Sequence, residues 1–444
     1  MPGPWSQPAL RRALFFEAIN ACSWTAVLGA PCILLLKAQG ASATVLGVAL
    51  ALMPLTQALQ PLGARWLPRW GYRRTMTAGW RTRTYAVAAI ALIAAGAPWL
   101  GAAWVVGLTL AALLVFTVIR GFTSCAWLPW ITALVPSEVR GRYLAWASLV
   151  VQALTVLCGL GYAAVLAVLP GHLGFAVIFA WATAMGFAAA HALERIPDAA
   201  VEPEPPAGGV PWRAMLAHPP FARVLAFVLL TNLALAALGV LWVPTLRDVH
   251  QQSDSALALI PIWAALAQIA ALPLIGPLVD RTGSKPVLAI AMLVWAAHAG
   301  LWSALAAGWL PLAWWSLALI QGTAGFAAAA HGVAGQSLLM ASVPGQGRSH
   351  FFALHSLALA AGSGIAPVLW GLALDVTHGW QGPGGLNAHA LWYAISAGLC
   401  GIGWALTPWL IEPHARSVAE TMRALWSAPR RALARLGDWI VPGR

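Results

Sequence analysis

Arg120, Ser124 and Trp127 stand at i, i+4 and i+7 within one apolar run, so on a helix they share a face. That face offers a forked cation, a hydroxyl and an aromatic plate, a set suited to a carboxylate or phosphate. Arg120 precedes Pro136 by 16 residues, roughly 24 Å along a helix, which puts it near the middle of a bilayer. A charge there costs at least about 3 kcal/mol. The alternative role is structural, with the guanidinium satisfied by helix carbonyls or by Glu17. Glu17, Asn20 and Trp24 likewise share a face of the first apolar run. Glu17 is the one carboxylate well inside a span and is the candidate for proton coupling. It also follows Arg12 by five residues and could be that arginine's interfacial partner. Asn232, Leu235, Gly239 and Trp242 form another one-sided stripe, with Asn232 its polar member. His331 lies mid-run and titrates in a range that suits a proton switch, or serves as hydrogen-bonded packing. Gln336 points about 140° away from it.

The elements that must hold these residues are membrane helices. Of 444 residues, 60% are hydrophobic and 9% charged, with a mean hydropathy of +0.76. Soluble proteins carry about 25% charged residues, which excludes a water-exposed globule. Twelve runs are long enough to cross a bilayer: 13–36, 43–62, 76–95, 102–134, 143–168, 172–193, 219–245, 256–279, 286–307, 310–341, 351–374 and 389–411. Lipid leaves no backbone partner outside the segment, so these are helices. The net charge of +12 does not indicate nucleic acid, because the cations sit in short loops and a tail rather than on one helix face. Cys22, Cys32, Cys125, Cys158 and Cys400 lie in apolar runs without a CxxC pair and read as small buried hydrophobes, with no metal site.

Placing both termini in the cytoplasm puts 22 of the 25 Lys and Arg residues on the inner side. Arg81, Arg83 and Arg223 are assigned to inner helix ends, Lys37 and Arg247 to outer loops, and Arg120 to a span. That bias sets the orientation. The chain also repeats itself. VPSEVRGRYLAW at 135–146 matches VPGQGRSHFFAL at 343–354, and GARWLPRWGYRR at 63–74 matches GPLVDRTGSKP at 276–286. The offsets, 208 and about 212, predict two homologous six-helix halves. The expected organisation is a first half at 1–193, a Pro-rich inner linker at 194–218, a second half at 219–411 and a basic amphipathic tail at 412–444 on anionic lipid. A disordered tail is the alternative.

Between the eighth and ninth runs stands Gly276-Pro-Leu-Val-Asp280-Arg281-Thr-Gly283-Ser-Lys285. This stretch resembles the signature loop of major facilitator superfamily transporters, Gly-x-Leu-x-Asp-Arg-x-Gly-x-Lys. Pro136-Ser-Glu138-Val-Arg140-Gly-Arg142 is similar to the family's Pro-x-x-x-Arg-Gly loop, and GSGIAPVLWGLALD to its eleventh helix. The resemblance covers essentially the whole chain. It implies an all-α membrane protein of twelve transmembrane helices in two pseudo-symmetric six-helix bundles. It further implies a rocker-switch carrier whose spans 1, 4, 7 and 10 line a central cavity. Asp280, Arg281 and Lys285, with Glu138, Arg140 and Arg142, would form a cytoplasmic gate whose wet ion pairs contribute about 1 kcal/mol or less each. Gly276 and Gly283 would allow close approach and a tight turn. Two departures stand out: Pro68 replaces the acidic residue in the first-half loop, and the fifth span lacks the Gly-Pro-x-x-Gly-Gly motif of drug/proton antiporters.

The leading expectation is a secondary transporter in the cytoplasmic (inner) membrane. It would move a small organic solute, anionic or amphipathic, by alternating access with proton coupling. It would act as a monomer without cofactor, and it is not an enzyme: HExxH, GxSxG and GxxxxGK(S/T) patterns do not occur. An exporter of hydrophobic compounds and a non-transporting membrane scaffold or sensor are the alternatives.

Overall fold

A computed structural model describes residues 8–135, 137–199, 212–343, 348–412 and 415–425. The first apolar run is split into α1 (Pro8–Val27) and α2 (Ala30–Ala38), where the sequence predicts one span. The break falls at Gly29, whose position has no room for a Cβ against the Thr25 carbonyl, and Pro31 sits in the first turn of α2. Ser42 caps α3 (Ala43–Gln57), its hydroxyl accepting from the Val45 amide at 3.4 Å. Two short helices, α4 (Gln60–Ala64) and α5 (Leu67–Trp70), lead to α6 (Tyr72–Ala95).

The fourth run is interrupted as well. It comprises α7 (Ala102–Thr123), a 3-10 turn at Ser124–Ala126 and α8 (Trp127–Leu134). Pro129 lacks the N–H that a continuous helix would offer the Cys125 carbonyl. The first repeat closes with α9 (Ser137–Val168) and α10 (His172–Glu194). After α11 (Trp212–Leu216) come α12 (Pro219–Pro244), α13 (Asp254–Thr282), α14 (Ser284–Ala306), α15 (Trp314–Ser342), α16 (Arg348–Val376) and α17 (Ala388–Leu406). Residues 200–211 of the expected linker and 426–444 of the expected tail lie outside the described residues.

Among the described residues, eleven helical stretches are long and apolar enough to cross a membrane. The twelfth expected span is α6, which has the length but carries Arg73, Arg74, Arg81 and Arg83 in its first half. Its polarity reflects the site it builds. It packs against α10 and α7, and Arg83 is 2% exposed.

Residues cluster into two compact units: Met1–Gly208 with Gly239–Ile262 and Ser363–Val376, and Gly209–Leu238 with Trp263–Gly362 and Thr377–Arg444. In the first unit Leu10, Phe16, Met76, Trp80, Trp130, Tyr143 and Leu193 share a buried core. In the second, Phe221, Ile275, Leu288, Met292, Leu338 and Cys400 do so.

The duplication appears in the way two helix starts are built. Gly71 (φ +73°) precedes α6 and Gly283 (φ +88°) precedes α14, both in the left-handed region that glycine tolerates. Asp198 accepts from the Arg73 amide at 3.3 Å. Glu412 accepts from the Ser284 and Lys285 amides at 2.9 and 2.7 Å. Each carboxylate follows the last span of its repeat and satisfies helix N–H groups that have no intrahelical partner. Glu412→Ala is therefore expected to destabilise the protein by about 1–2 kcal/mol. The measurement is thermal unfolding in detergent, and an unchanged Tm would remove this role.

Candidate functional site

Five helices of the first unit contribute to one cavity of about 220 Å³. It is lined by Phe16, Glu17, Asn20 and Trp24 from α1, Trp80 and Arg83 from α6, Arg120 from α7, Ser124, Trp127 from α8 and Val151 from α9. All six residues singled out on the first and fourth runs are among them. The 3-10 turn breaks the regular i, i+4, i+7 face between Arg120 and Trp127, but both side chains still reach the same space.

Arg83 was assigned by the sequence to an inner helix end, and the structure corrects this. Its guanidinium lies 3.7 Å from the centre of the Trp80 ring and 5.0 Å from that of Phe116. One nitrogen donates to Asn20 Oδ1 at 2.6 Å. The same oxygen accepts from Trp80 Nε1 at 2.9 Å. Asn20 thus orients the arginine and the indole together, while the ring face offers a cation–π contact. A sequence signal existed: Trp80 and Arg83 stand at i, i+3, just before the apolar stretch that completes α6.

Arg120 lines the cavity and makes no hydrogen bond or ion pair among the described residues, so none of its N–H donors has an acceptor there. Glu17 does not pair with either arginine there. Its Oε1 accepts from the Tyr143 hydroxyl at 3.4 Å. Nor is it the partner of Arg12, which donates instead to the Arg195 carbonyl at 3.0 Å. Phe16 packs on Trp127 and Trp80, with ring centres 4.9 and 5.8 Å apart. The lining combines aromatic side chains with the polar groups of Glu17, Asn20, Arg83, Arg120 and Ser124. Arg83 is buried and Arg120 partly so, and neither has a carboxylate partner among the described residues, an arrangement that is costly without a counter-charge.

The other expected cavity residues are placed elsewhere. Asn232 on α12 turns its amide onto the Val228 carbonyl of its own helix at 2.8 Å. His331 on α15 has a buried Nδ1 with no partner among the described residues. Trp242, near the end of α12, is half-buried. None of the three lines the cavity around Arg120.

At the expected gate, Asp280 and Arg281 are exposed and form no ion pair among the described residues. Lys285 Nζ donates to the Pro408 carbonyl at 2.8 Å. The space around Gly276 is open, and a Cβ at Gly283 would press on Ala415. Glu138, Arg140 and Arg142 fall on α9, but their side chains lie outside the described residues. Glu412 and Asp198, the helix-capping carboxylates, were missed because their partners are distant in sequence.

A chain of membrane-length helices with a polar cavity among those of its first unit is a multi-pass membrane protein. The Major Facilitator Superfamily pattern matches residues 229–437. That match falls on the second half of the chain, and over its full length the chain shares the fold of solved transporters. A point variant of the nucleoside transporter NupG is similar with a TM-score of 0.70 at 11% identity, covering 91% of this chain and 100% of that one. A bacterial homologue of the iron transporter ferroportin, in an inward-facing state, gives 0.69 at 13%, covering 91% and 99%. The D-xylose–proton symporter gives 0.67 at 16%, covering 91% and 97%. No curated protein matches the sequence.

Proposed function

We propose that this protein is a secondary transporter that moves a small organic anion by alternating access, with Arg120 as the anion clamp and Glu17 as the proton-coupling carboxylate. The observation that carries this reading is Arg120, which lines a cavity of about 220 Å³ and has no acceptor among the described residues. A carboxylate or phosphate would take two of its donors in a fork. Arg83, fixed by Asn20 and Trp80, adds a second positive charge, and Trp24, Trp80 and Trp127 give flat walls to a ring or chain. Glu17 lies on the same cavity, so a proton held there would change the site's charge as the solute binds or leaves. The Arg-rich loops support a cytoplasmic position for their side and for both termini.

Solved structures of this fold include a D-xylose–proton symporter and a POT family transporter in complex with 5-aminolevulinic acid, a solute with a carboxylate. The test is uptake by purified protein in liposomes, with a panel of small carboxylates and phosphate esters and an imposed pH gradient. Saturable, gradient-driven uptake of one class of anion is the expected result. Efflux of hydrophobic cations alone would favour a drug exporter. No flux and no ligand-induced stabilisation across the panel would favour a scaffold or sensor.

A further inference from the structure

We propose that Asp375 is a latch that holds closed the face of the protein opposite its Arg-rich loops, by capping the start of α3. The carboxylate stands in the last turn of α16. Its Oδ1 accepts from the Ala43 amide at 2.9 Å and its Oδ2 from the Thr44 amide at 2.8 Å. Those are the first two amides of α3 and have no partner inside their own helix. Their positive end suits a carboxylate, and both oxygens make charge-assisted bonds. The joined helices come from different repeats: α3 is the second span of the first, α16 the penultimate span of the second.

The latch sits on a seam of close backbone approach. A Cβ at Gly47 would fall on the Pro367 carbonyl, and one at Gly371 on the Ala43 carbonyl. A second link lies on the same face. Lys37, in the last turn of α2, pairs with Asp248 after α12 at 2.6 Å. Lys37 and Arg247 are the two cations that the charge bias assigns to this side, and Arg247 is itself paired with Asp254. At the Arg-rich end, by contrast, Asp280 and Arg281 are exposed and unpaired among the described residues.

The inference rests on the alternating-access reading. The Asp375 bonds exist only while the ends of α3 and α16 adjoin. When that face opens, water must replace the carboxylate at the two amides. Asp375 therefore interacts differently with the two states, as any group that biases them must. The glycine seam lets the helices meet, and the latch sets how long they stay together. Removing it is expected to shift the closed-to-open ratio of this face about tenfold.

The test uses the full chain with its five cysteines replaced by serine and spin labels on cysteines introduced at Gln39 and Val376. Distances are measured in lipid nanodiscs without solute. The parent should show a dominant short distance, and Asp375→Ala a longer component increased about tenfold relative to the short one. Lys37→Gln should move the distribution the same way, and it supplies the reading if Asp375→Ala does not fold. Distributions that superimpose on the parent's in the folded variants would overturn the latch. The measurement needs no flux, so an inactive transporter would still report on it. Uptake without any change in distance would remove the latch alone.

Discussion

Alanine in place of Arg120 is expected to weaken binding of the transported anion at least about 100-fold, corresponding to roughly 3 kcal/mol, the upper end for hydrogen bonds to charged groups. The side chain has no acceptor among the described residues, so its removal leaves no protein carboxylate or carbonyl orphaned. The cost should therefore fall on the ligand and hardly at all on folding. Lysine at the same position keeps the charge and loses the fork, so it should recover only part of the affinity. Isothermal titration or scintillation proximity binding checks this. An unchanged Kd in Arg120→Ala would remove the residue from the site.

Glu17→Gln is expected to abolish the response of uptake to an imposed pH gradient while leaving solute exchange in place. Each pH unit is about 1.4 kcal/mol per proton. With one proton per solute, a two-unit gradient would support about 100-fold accumulation, and that accumulation should collapse to equilibration. The glutamine amide can still accept from the Tyr143 hydroxyl, so the local packing is kept. The coupling role fails if the variant concentrates solute to the same extent as the parent.

Much of the fold is legible in the chain because lipid permits few structures. Apolar runs of membrane length must be helices, and a duplicated loop at offsets of 208 and about 212 marks two repeats. Gly71 and Gly283 sit at equivalent helix starts and share a positive φ. The site was legible where spacing decided it: the residues chosen on the first and fourth runs meet in one cavity. It was not legible where partners are remote. Arg83 looked like an inner anchor because its α6 neighbours Arg73, Arg74 and Arg81 are surface cations. Its inward turn depends on Asn20 from another helix. The break at Gly29 and the 3-10 turn at Ser124–Ala126 follow from single prolines whose effect on a long apolar run has no periodicity to reveal it. Asp198, Asp375 and Glu412 cap helices more than a hundred residues away, so their roles have no local trace.

The polarity of α6 also bears on how the protein is made. Arginine at the centre of a nascent span opposes insertion by about 2.5–3.5 kcal/mol, and α6 offers only its second half to offset four of them. Alone at the translocon, this segment has little reason to leave water. It gains one when α10 arrives to cover it and Asn20 takes the charged edge of Arg83. A ribosome-bound chain that ends before His172 should therefore leave this third span outside the bilayer, accessible to a glycosylation or labelling probe, and the completed chain should not.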